Sequence, residues 1–365
     1  MNIQGSTSTT SQPLTDVTLA DHAPTPPEIP TAVAPMFNPT ESLERSVKQL
    51  NRHLERGLVC SSGITRIAKE LITEGAEKVN LADFVEQTHA KRIRSEMWAL
   101  QFRQCCAVMT HSQNAGLLDK SQLQQLNDEQ SKSLHALRAH LEEKEPLEIA
   151  EALDATINSS NDFFEKLLEL IDLIKNGYLA GYEHVISAYS DFFADFNAQI
   201  TGMMKEWIEG VNDGKEVELK AGALFAALTD LIAKYTHPNP DSVLFPKPGD
   251  DGVCRDEAEK WRIALGLPPQ CLKENADGTW CVVIDTGPLH RMKDGLPPSG
   301  TVTWDTAKFN AWQSGINAQE ERMKNMLQSF TQKYSNANSY HDNFNKTLSA
   351  HLNQFADMLR AMLNF

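Results

Sequence analysis

The sequence lacks the features that mark membrane, signal-peptide and nucleic-acid-binding proteins. No run approaches the roughly 20 consecutive apolar residues that a membrane-spanning helix needs. The N-terminus has neither a basic segment nor an apolar core, so we expect no cleavable secretory signal. Positive charge is scarce, because 34 Lys and Arg stand against 49 Asp and Glu, a formal net charge of −15. This balance argues against binding to nucleic acid or to anionic lipid.

Recognisable catalytic motifs are also missing. The sequence contains no GxxxxGK[ST], GxGxxG, HExxH or GxSxG pattern. Glu86-x-x-His89 is half of a carboxylate-bundle metal motif, but no other Glu stands three residues before a His. We therefore expect a surface Glu and His pair, no catalytic residue, no metal ligand and no enzyme. An enzyme that uses the segment 211–304 is an alternative that a deep polar pocket there would favour.

The six cysteines form no CxxC pair and no zinc-binding spacing. Cys271 and Cys281 flank a segment in which Asp277-Gly278 predicts a hairpin turn, so the two thiols could face each other across it. Free thiols in a reducing compartment are the other interpretation. The sequence leaves this choice open.

Two long segments carry apolar residues at intervals of seven, which predicts a coiled-coil seam. Only His351 interrupts the second stripe, and a partly exposed His is a simpler interpretation there than a pH switch. The seam residues are Phe164, Ile171, Tyr178, Val185 and Phe192 in the first segment, and Phe309, Ile316, Met323, Phe330, Ala337, Phe344, Met358 and Phe365 in the second.

The segment between the two predicted coiled-coil helices has the pattern of short strands in KEVELK, SVLF, TWCVVID and TVTW, with helices between them. An insertion that joins two helix ends at one tip makes those helices antiparallel. The fold class is therefore mainly α: a long central antiparallel two-helix coiled coil with an N-terminal helical hairpin and an inserted small mixed α/β module.

Capping signals and composition divide the chain into five parts. Helix starts are indicated at Asn38-Pro39, at Asp119 with Gln122, and at Asp305. The parts are a Ser-, Thr- and Pro-rich disordered region (1–38), the helical hairpin (39–145), the first coiled-coil helix with its linker (146–209), the mixed α/β module (210–304) and the second coiled-coil helix (305–365).

Many aromatic residues of the first coiled-coil helix have the spacing of core residues, although a hydrophobic ligand groove is an alternative. Phe193 falls off the seven-residue register, so we expect it to contact a neighbouring domain. The group consists of Tyr178, Tyr182, Tyr189, Phe192, Phe193 and Phe196.

A polar stretch, QKYSNANSYHDNF, interrupts the second coiled-coil helix at residues 332–344. Ala337 and Phe344 keep the seam there, and the polar residues point away from it on what we expect to be an exposed face. Small polar side chains let another helix approach closely; a merely solvated face is the alternative. The polar residues are Lys333, Asn336, Asn338, Asp342 and Asn345.

Several long phrases resemble the needle-tip proteins of type III secretion systems, the SipD and IpaD family. The resemblance is close over about residues 160–365 and closest to SipD-like members. It rests on GYLAGYEHVISAYSDFFADF, DSVLFP, LGLPPQCLK, TWDTAKFNAWQSG and the helix from AWQSGINAQEERMKNMLQSF through the polar stretch to NKTLSAHL.

The resemblance implies a secreted needle-tip subunit that caps the needle, controls effector secretion and provides a platform for translocator assembly during host-cell invasion. The implied partners are the needle subunit, a hydrophobic translocator and further copies of the chain, without nucleic acid and without direct membrane insertion. The implied location is the cytoplasm before export and the needle tip at the bacterial surface afterwards. A membrane-active coiled-coil translocator or effector is the alternative function.

In this family the hairpin packs against the coiled coil before export, as a self-chaperone. By the resemblance, the polar face and the tail Leu363, Asn364 and Phe365 would contact needle subunits or the hairpin that covers them. No cofactor is implied. Some members bind bile salts, but no residue of this sequence is assigned to that role.

Overall fold

The computed structural model describes residues 38–74, 78–114, 116, 118–142 and 160–363. The expected disordered region lies outside the described residues except for Asn38, and so do most of the linker, Asn364 and Phe365. Within the described part of the chain, no helix combines the length and the apolar character needed to cross a membrane.

The N-terminal hairpin is built from α1 (Pro39–Glu74) and α2 (Lys78–Asn114), followed by α3 (Lys120–Glu142). The α1 and α2 helices are antiparallel, because Lys91 bonds the carbonyl of Gly57 while Gln101, farther along α2, bonds that of Ser46, farther back on α1.

Two predicted helix starts of this region are present as side-chain caps, whereas Asn80, which also has the sequence of a cap, lies inside α2. Asn38 Oδ1 accepts from the Glu41 amide at 3.3 Å. At α3, Asp119 Oδ1 accepts from the Gln122 amide and Gln122 Oε1 accepts from the Asp119 amide, both at 2.9 Å. This reciprocal pair is a capping box, which satisfies backbone donors that a helix start otherwise leaves unpaired.

The coiled coil is formed by two long helical segments. The first consists of α4 (Ser160–Asp172), a π-helical segment (Leu173–Leu179) and α5 (Ala180–Gln199). The second is α10 (Thr306–Leu363), whose 58 residues give a length of about 87 Å at 1.5 Å per residue. Asp305 caps α10, since its Oδ1 accepts from the Lys308 amide at 2.8 Å.

The two segments are antiparallel, as predicted. Early in the first segment, Leu167 of α4 lines a small cavity together with Leu348 and Leu352 of α10. Farther along it, Tyr189 of α5 meets Phe330, which lies earlier on α10. Later residues of the first segment therefore contact earlier residues of α10. The two segments are antiparallel, which confirms the predicted fold class.

The predicted seam is buried. Every seam residue from Phe164 to Phe192 and from Phe309 to Phe344 is a core residue, Met358 is partly buried, and Phe365 lies outside the described residues. The aromatic group that contains Tyr182 and Phe196 is also buried, so packing rather than an open groove explains it. Phe193 stacks on Phe196 with ring centroids 6.2 Å apart.

The first coiled-coil helix ends earlier than predicted. We expected it through residue 209, but α5 ends at Gln199, and a short helix α6 (Met204–Trp207) leads directly into strand β1 (Ile208–Val211). The reason is non-local: β1 pairs antiparallel with β2 (Glu216–Leu219), which gives its backbone groups partners that a continued helix would not use.

The inserted module contains two three-stranded antiparallel sheets, ordered β1-β2-β6 and β3-β5-β4. The four predicted strands are present as β2, β3, β5 and β6, whereas β1, β4 and α9 were not predicted. The elements after β2 are α7 (Ala221–Lys234), β3 (Val243–Phe245), α8 (Arg255–Leu265), β4 (Leu272–Glu274), β5 (Trp280–Val283), α9 (Gly287–Lys293) and β6 (Val302–Asp305).

All six cysteines are free thiols. Cys281 lies opposite Lys273 in the β4–β5 ladder, and its Sγ bonds Asn275 Oδ1 at 3.4 Å instead of Cys271. Burial raises the pKa of Cys271 to about 12 and that of Cys281 to about 11, which disfavours the reactive thiolate.

Candidate functional site

The polar stretch of α10 continues a longer row of small polar residues. Their spacing of three or four places them on one helix face, and this face packs against α1 and α2 of the hairpin. The expectation of an exposed face is therefore wrong for Asn338, Asp342 and Asn345, because the hairpin covers them. The row consists of Thr331, Ser335, Asn338, Asp342, Asn345 and Ser349, all of them buried.

A buried ion pair lies at the centre of this contact. The ammonium group of Lys91 donates to Asp342 Oδ1 on α10, to Ser61 Oγ on α1 at 2.7 Å and to the Gly57 carbonyl at 3.3 Å. The side chains of Lys91 and Asp342 are only 2 % and 7 % exposed. All three ammonium hydrogens thus have acceptors, which a buried cation requires.

Polar neighbours extend this cluster along α10. Asn338 Nδ2 donates to Ser61 Oγ at 3.0 Å. His341 lies 3.8 Å from Asp342 Oδ1, and Asn345 Nδ2 lies 3.2 Å from the His341 ring. We call the group formed by Ser61, Lys91, Asn338, His341 and Asp342 the polar dock.

The charges of the polar dock are set by burial and by their mutual contacts. Burial opposes the charge of Asp342, but the neighbouring His341 ring and the Lys91 ammonium group hold its pKa below the usual value. Burial lowers the pKa of Lys91, and the Asp342 charge counters part of that effect. Burial also lowers the pKa of His341, which favours a neutral ring. The buried charges of Lys91 and Asp342 therefore depend on each other, because burial alone disfavours both of them.

Sequence reasoning missed Ser61, Lys91 and His341 as parts of this site. A signal for Lys91 does exist, because α2 carries buried residues at intervals of seven and Lys91 occupies one such position. The neighbouring positions are Phe84, Trp98 and Cys105, all nearly inaccessible to solvent. A lysine in an otherwise apolar row indicates a buried partner of opposite charge.

The other predicted contact residues lie elsewhere on α10. Lys333 is partly exposed and Asn336 is exposed, with Asn336 Oδ1 accepting from Gln332 at 2.8 Å. Leu363 is the last residue of α10, and Asn364 and Phe365 lie outside the described residues. The eight predicted residues therefore divide into a buried group under the hairpin, a surface pair and a terminal group.

The predicted surface pair Glu86 and His89 does not form the nucleus of a metal site. His89 and Arg92 instead approach Glu183 of α5 at 3.7 and 3.3 Å, which joins the hairpin to the coiled coil. Among the described residues, no group of three or more His, Cys, Asp or Glu has a metal-binding arrangement. His351 is half-buried, and burial lowers its pKa.

A cleft of about 370 Å³ in the α/β module is lined by His237, Cys271, Asp285 and His290, among others. Its carboxylate is engaged structurally, since Asp285 accepts from the Gly287 amide at 2.9 Å and pairs with Arg322 of α10 at 3.3 Å. His237 bonds Asn275 rather than an acidic residue or a nucleophile. These contacts tie loops and helices together and supply no activated nucleophile.

An antiparallel coiled coil that carries a docked hairpin and an inserted α/β module defines a coiled-coil protein of the mainly α class. Residues 41–363 match the family of type III secretion systems tip complex components, and the chain belongs to that family.

Individual relatives agree with this assignment. The chain is 37 % identical over 214 residues to the cell invasion protein SipD of Salmonella typhi, covering 57 % of this chain and 62 % of SipD. It is 36 % identical over 211 residues to the invasin IpaD of Shigella flexneri, covering 57 % of this chain and 61 % of IpaD. The matched region thus spans about three fifths of these curated relatives.

A solved structure supports the fold. The pathogenicity island 1 effector protein of Chromobacterium violaceum superposes with a TM-score of 0.61 at 27 % identity. The match covers 87 % of this chain and 96 % of that protein.

Proposed function

We propose that this protein is the secreted needle-tip subunit of a type III secretion system. It caps the needle, controls effector secretion and provides a platform for translocator assembly during host-cell invasion, without catalysing a reaction. The observation that carries the proposal is the family match, which extends through the hairpin, the coiled coil, the module and α10. The relatives named cell invasion protein and invasin support the role in invasion.

The proposed mechanism is exposure of a covered surface. Before export, α1 and α2 lie on the polar face of α10. After export, the hairpin moves aside and α10 contacts the needle subunit, while the distal module faces the hydrophobic translocator. Several copies assemble at the tip. The protein is cytoplasmic before export and lies at the needle tip at the bacterial surface afterwards.

The contact residues have separate roles in this proposal. Lys333 and Asn336 have access to solvent while the hairpin is docked, so they meet the needle first. Asn338 and Asp342 hold the hairpin through the polar dock and become available only after it moves. Asn345 and the tail from Leu363 to Phe365 complete the surface. No cofactor is needed, and bile-salt binding stays an expectation from the family.

A needle-tip occupancy assay tests the proposal. A strain that lacks the chromosomal copy is complemented with the full chain or with Lys333→Glu combined with Asn336→Asp, and tip protein on purified needles is quantified. The wild-type chain restores occupancy, and the double variant reduces it. Lys205→Glu, the same Lys-to-Glu reversal at an exposed residue outside α10, serves as the control for Lys333→Glu, which is therefore also assayed as a single variant.

Two results would count against the proposal at different levels. Normal occupancy of the double variant removes Lys333 and Asn336 from the contact surface. Failure of the wild-type chain to occupy needles, together with no binding to purified needle subunit, contradicts the tip assignment itself.

A further inference from the structure

The α10 helix makes two interfaces of different chemistry. Its contact with α5 is apolar, with Phe330 against Tyr189 and with Met323 and Leu327 fully buried. Its contact with α1 and α2 contains the polar dock beside apolar contacts such as that of Phe84 with Tyr334, whose ring centroids are 5.8 Å apart. Permanent interfaces are more apolar than those that separate. The composition of the two interfaces therefore indicates that α5 stays bound to α10, whereas α1 and α2 can separate from it.

Polar atoms in the hairpin contact are incompletely satisfied. Asn345 Oδ1 and Ser349 Oγ are buried and have no hydrogen-bond partner among the described residues. Both lie on the polar face of α10, so water would reach them if the hairpin left. An unpaired buried polar atom opposes docking, because it gives up its hydrogen bonds to water without gaining a partner. These two atoms therefore reduce the net gain of docking the hairpin on α10.

The Lys91–Asp342 pair permits one docking register. The α2 and α10 helices run in the same direction in this contact, because both are antiparallel to α1: Glu44 pairs with Arg360, whereas Leu71 bonds Gln328. A shift of one turn moves Lys91 next to Lys346 in one direction and next to Asn338 in the other. The first shift brings two cations together, and both leave the buried Asp342 without its cation, which is strongly unfavourable.

We propose that the Lys91–Asp342 pair is the latch of the hairpin: it holds α1 and α2 on α10 in one register, and removal of one of its two charges releases the hairpin as a unit while the α5–α10 seam stays closed. The apolar contacts between the hairpin and α10 provide most of the binding energy. The ion pair fixes the register of the two surfaces and makes the binding of the hairpin reversible. This inference rests on the proposed function, because it explains how the hairpin covers α10 before export. Its test needs only the isolated chain.

Native-state hydrogen exchange of the full chain tests the latch. In the wild-type protein, amides of α1 and α2 around Gly57 and Lys91 exchange through an opening that leaves amides of α5 and α10 around Tyr189 and Phe330 protected. Asp342→Asn, which keeps the shape and removes the charge, raises exchange in α1 and α2 by on the order of 100-fold. Exchange at the seam changes far less.

Two further variants separate a latch from a general loss of stability. Lys91→Met combined with Asp342→Leu replaces the pair by apolar residues and restores hairpin protection to the wild-type level or above it, since such replacements are often neutral or stabilising. Glu44→Gln is the matched control, because it removes the exposed Glu44–Arg360 pair that also joins α1 to α10. It leaves exchange within a few-fold of wild type.

Several outcomes overturn the inference. One is a single common opening of the hairpin and the seam in the wild-type protein, a result that needs no variant to fold. Another is equal acceleration of both regions in Asp342→Asn, or no acceleration. A third is a double apolar variant whose hairpin exchanges as fast as that of Asp342→Asn. Because no needle subunit is present, failure here leaves the tip assignment to its own occupancy assay.

Discussion

Tyr189 of α5 and Phe330 of α10 meet edge to face, with ring centroids 5.1 Å apart and planes at 90°. The two residues are 141 positions apart in the sequence (330 − 189) and belong to separate coiled-coil segments. Edge-to-face geometry places the positive edge of one ring on the negative face of the other, which adds to the gain from burial. This contact lies within the seam between α5 and α10.

Truncation of Phe330 to alanine should destabilise the coiled coil strongly. Phe330 is fully buried, so the change leaves a cavity and removes the partner of Tyr189. We expect a loss of about 3–5 kcal/mol in the free energy of unfolding, measured by urea denaturation. Asn336→Ala, on the exposed side of the same helix, should stay within about 0.5 kcal/mol of wild type. A loss below about 1 kcal/mol for Phe330→Ala would contradict the assigned seam.

The register of the coiled coil can be checked with a photo-cross-linking amino acid. Leu168 of α4 is partly buried against the core, and Tyr189 of α5 contacts Phe330. Placed at Leu168, the probe should react with the α10 region around Leu352, and placed at Tyr189 it should react near Phe330, because the helices are antiparallel. Peptide mapping by mass spectrometry reads the products. Cross-links from Leu168 to the region of Trp312 would mean the opposite direction.

Acidification should destabilise the fold and above all the polar dock. Burial lowers the folded-state pKa of His341 below its ordinary value of 6.5, so below that pH the unfolded chain binds a proton that the folded chain does not. Stability is then lost as the pH falls, by up to about 1.4 kcal/mol per pH unit for this group. Asp342, whose pKa is held low in the folded state, adds a loss of the same sign at still lower pH.

Denaturant unfolding at pH 7.5 and pH 5.5 measures this dependence. The charged groups around His341 are Asp342 beside it, Lys91 of α2 and Lys175 of the π-helical segment. His341→Gln should reduce the slope, whereas His135→Gln, at an exposed position on α3, should not. Equal stability of the wild-type protein at both pH values would show that the buried ring does not resist protonation.

Thiol reactivity should distinguish one cysteine from the other five. Cys254 is exposed, while Cys60, Cys105, Cys106, Cys271 and Cys281 are buried. We expect one fast-reacting thiol with Ellman's reagent in the folded protein and six after denaturation without reductant. Cys254→Ser should abolish the fast reaction. Four thiols after denaturation would instead indicate a Cys271–Cys281 disulfide.

Structural features that depend only on residues close in sequence could be predicted. The seven-residue stripes predicted the buried seam, and the Asn38, Asp119 and Asp305 caps predicted helix starts that the hydrogen bonds confirm. The end of the first coiled-coil helix was predicted wrongly, because Gly210 was chosen as the stop although Gly202 lies next to the observed end of α5 at Gln199. The β1 strand exists there through its pairing with β2, which in turn pairs with β6 at the far end of the module.

By itself, the sequence determined that the long segments of the hairpin and the coiled coil are mainly helical, which faces of the coiled-coil helices are apolar, and that the polar stretch of α10 needed an explanation. These properties depend on residues within a turn or a heptad of each other. Only the tertiary structure decided that the polar stretch is buried and that Lys91 is its counter-ion, 251 residues away from Asp342. The reason is that periodicity identifies a face but not its partner, and charge pairing is decided by which faces the folded chain brings together.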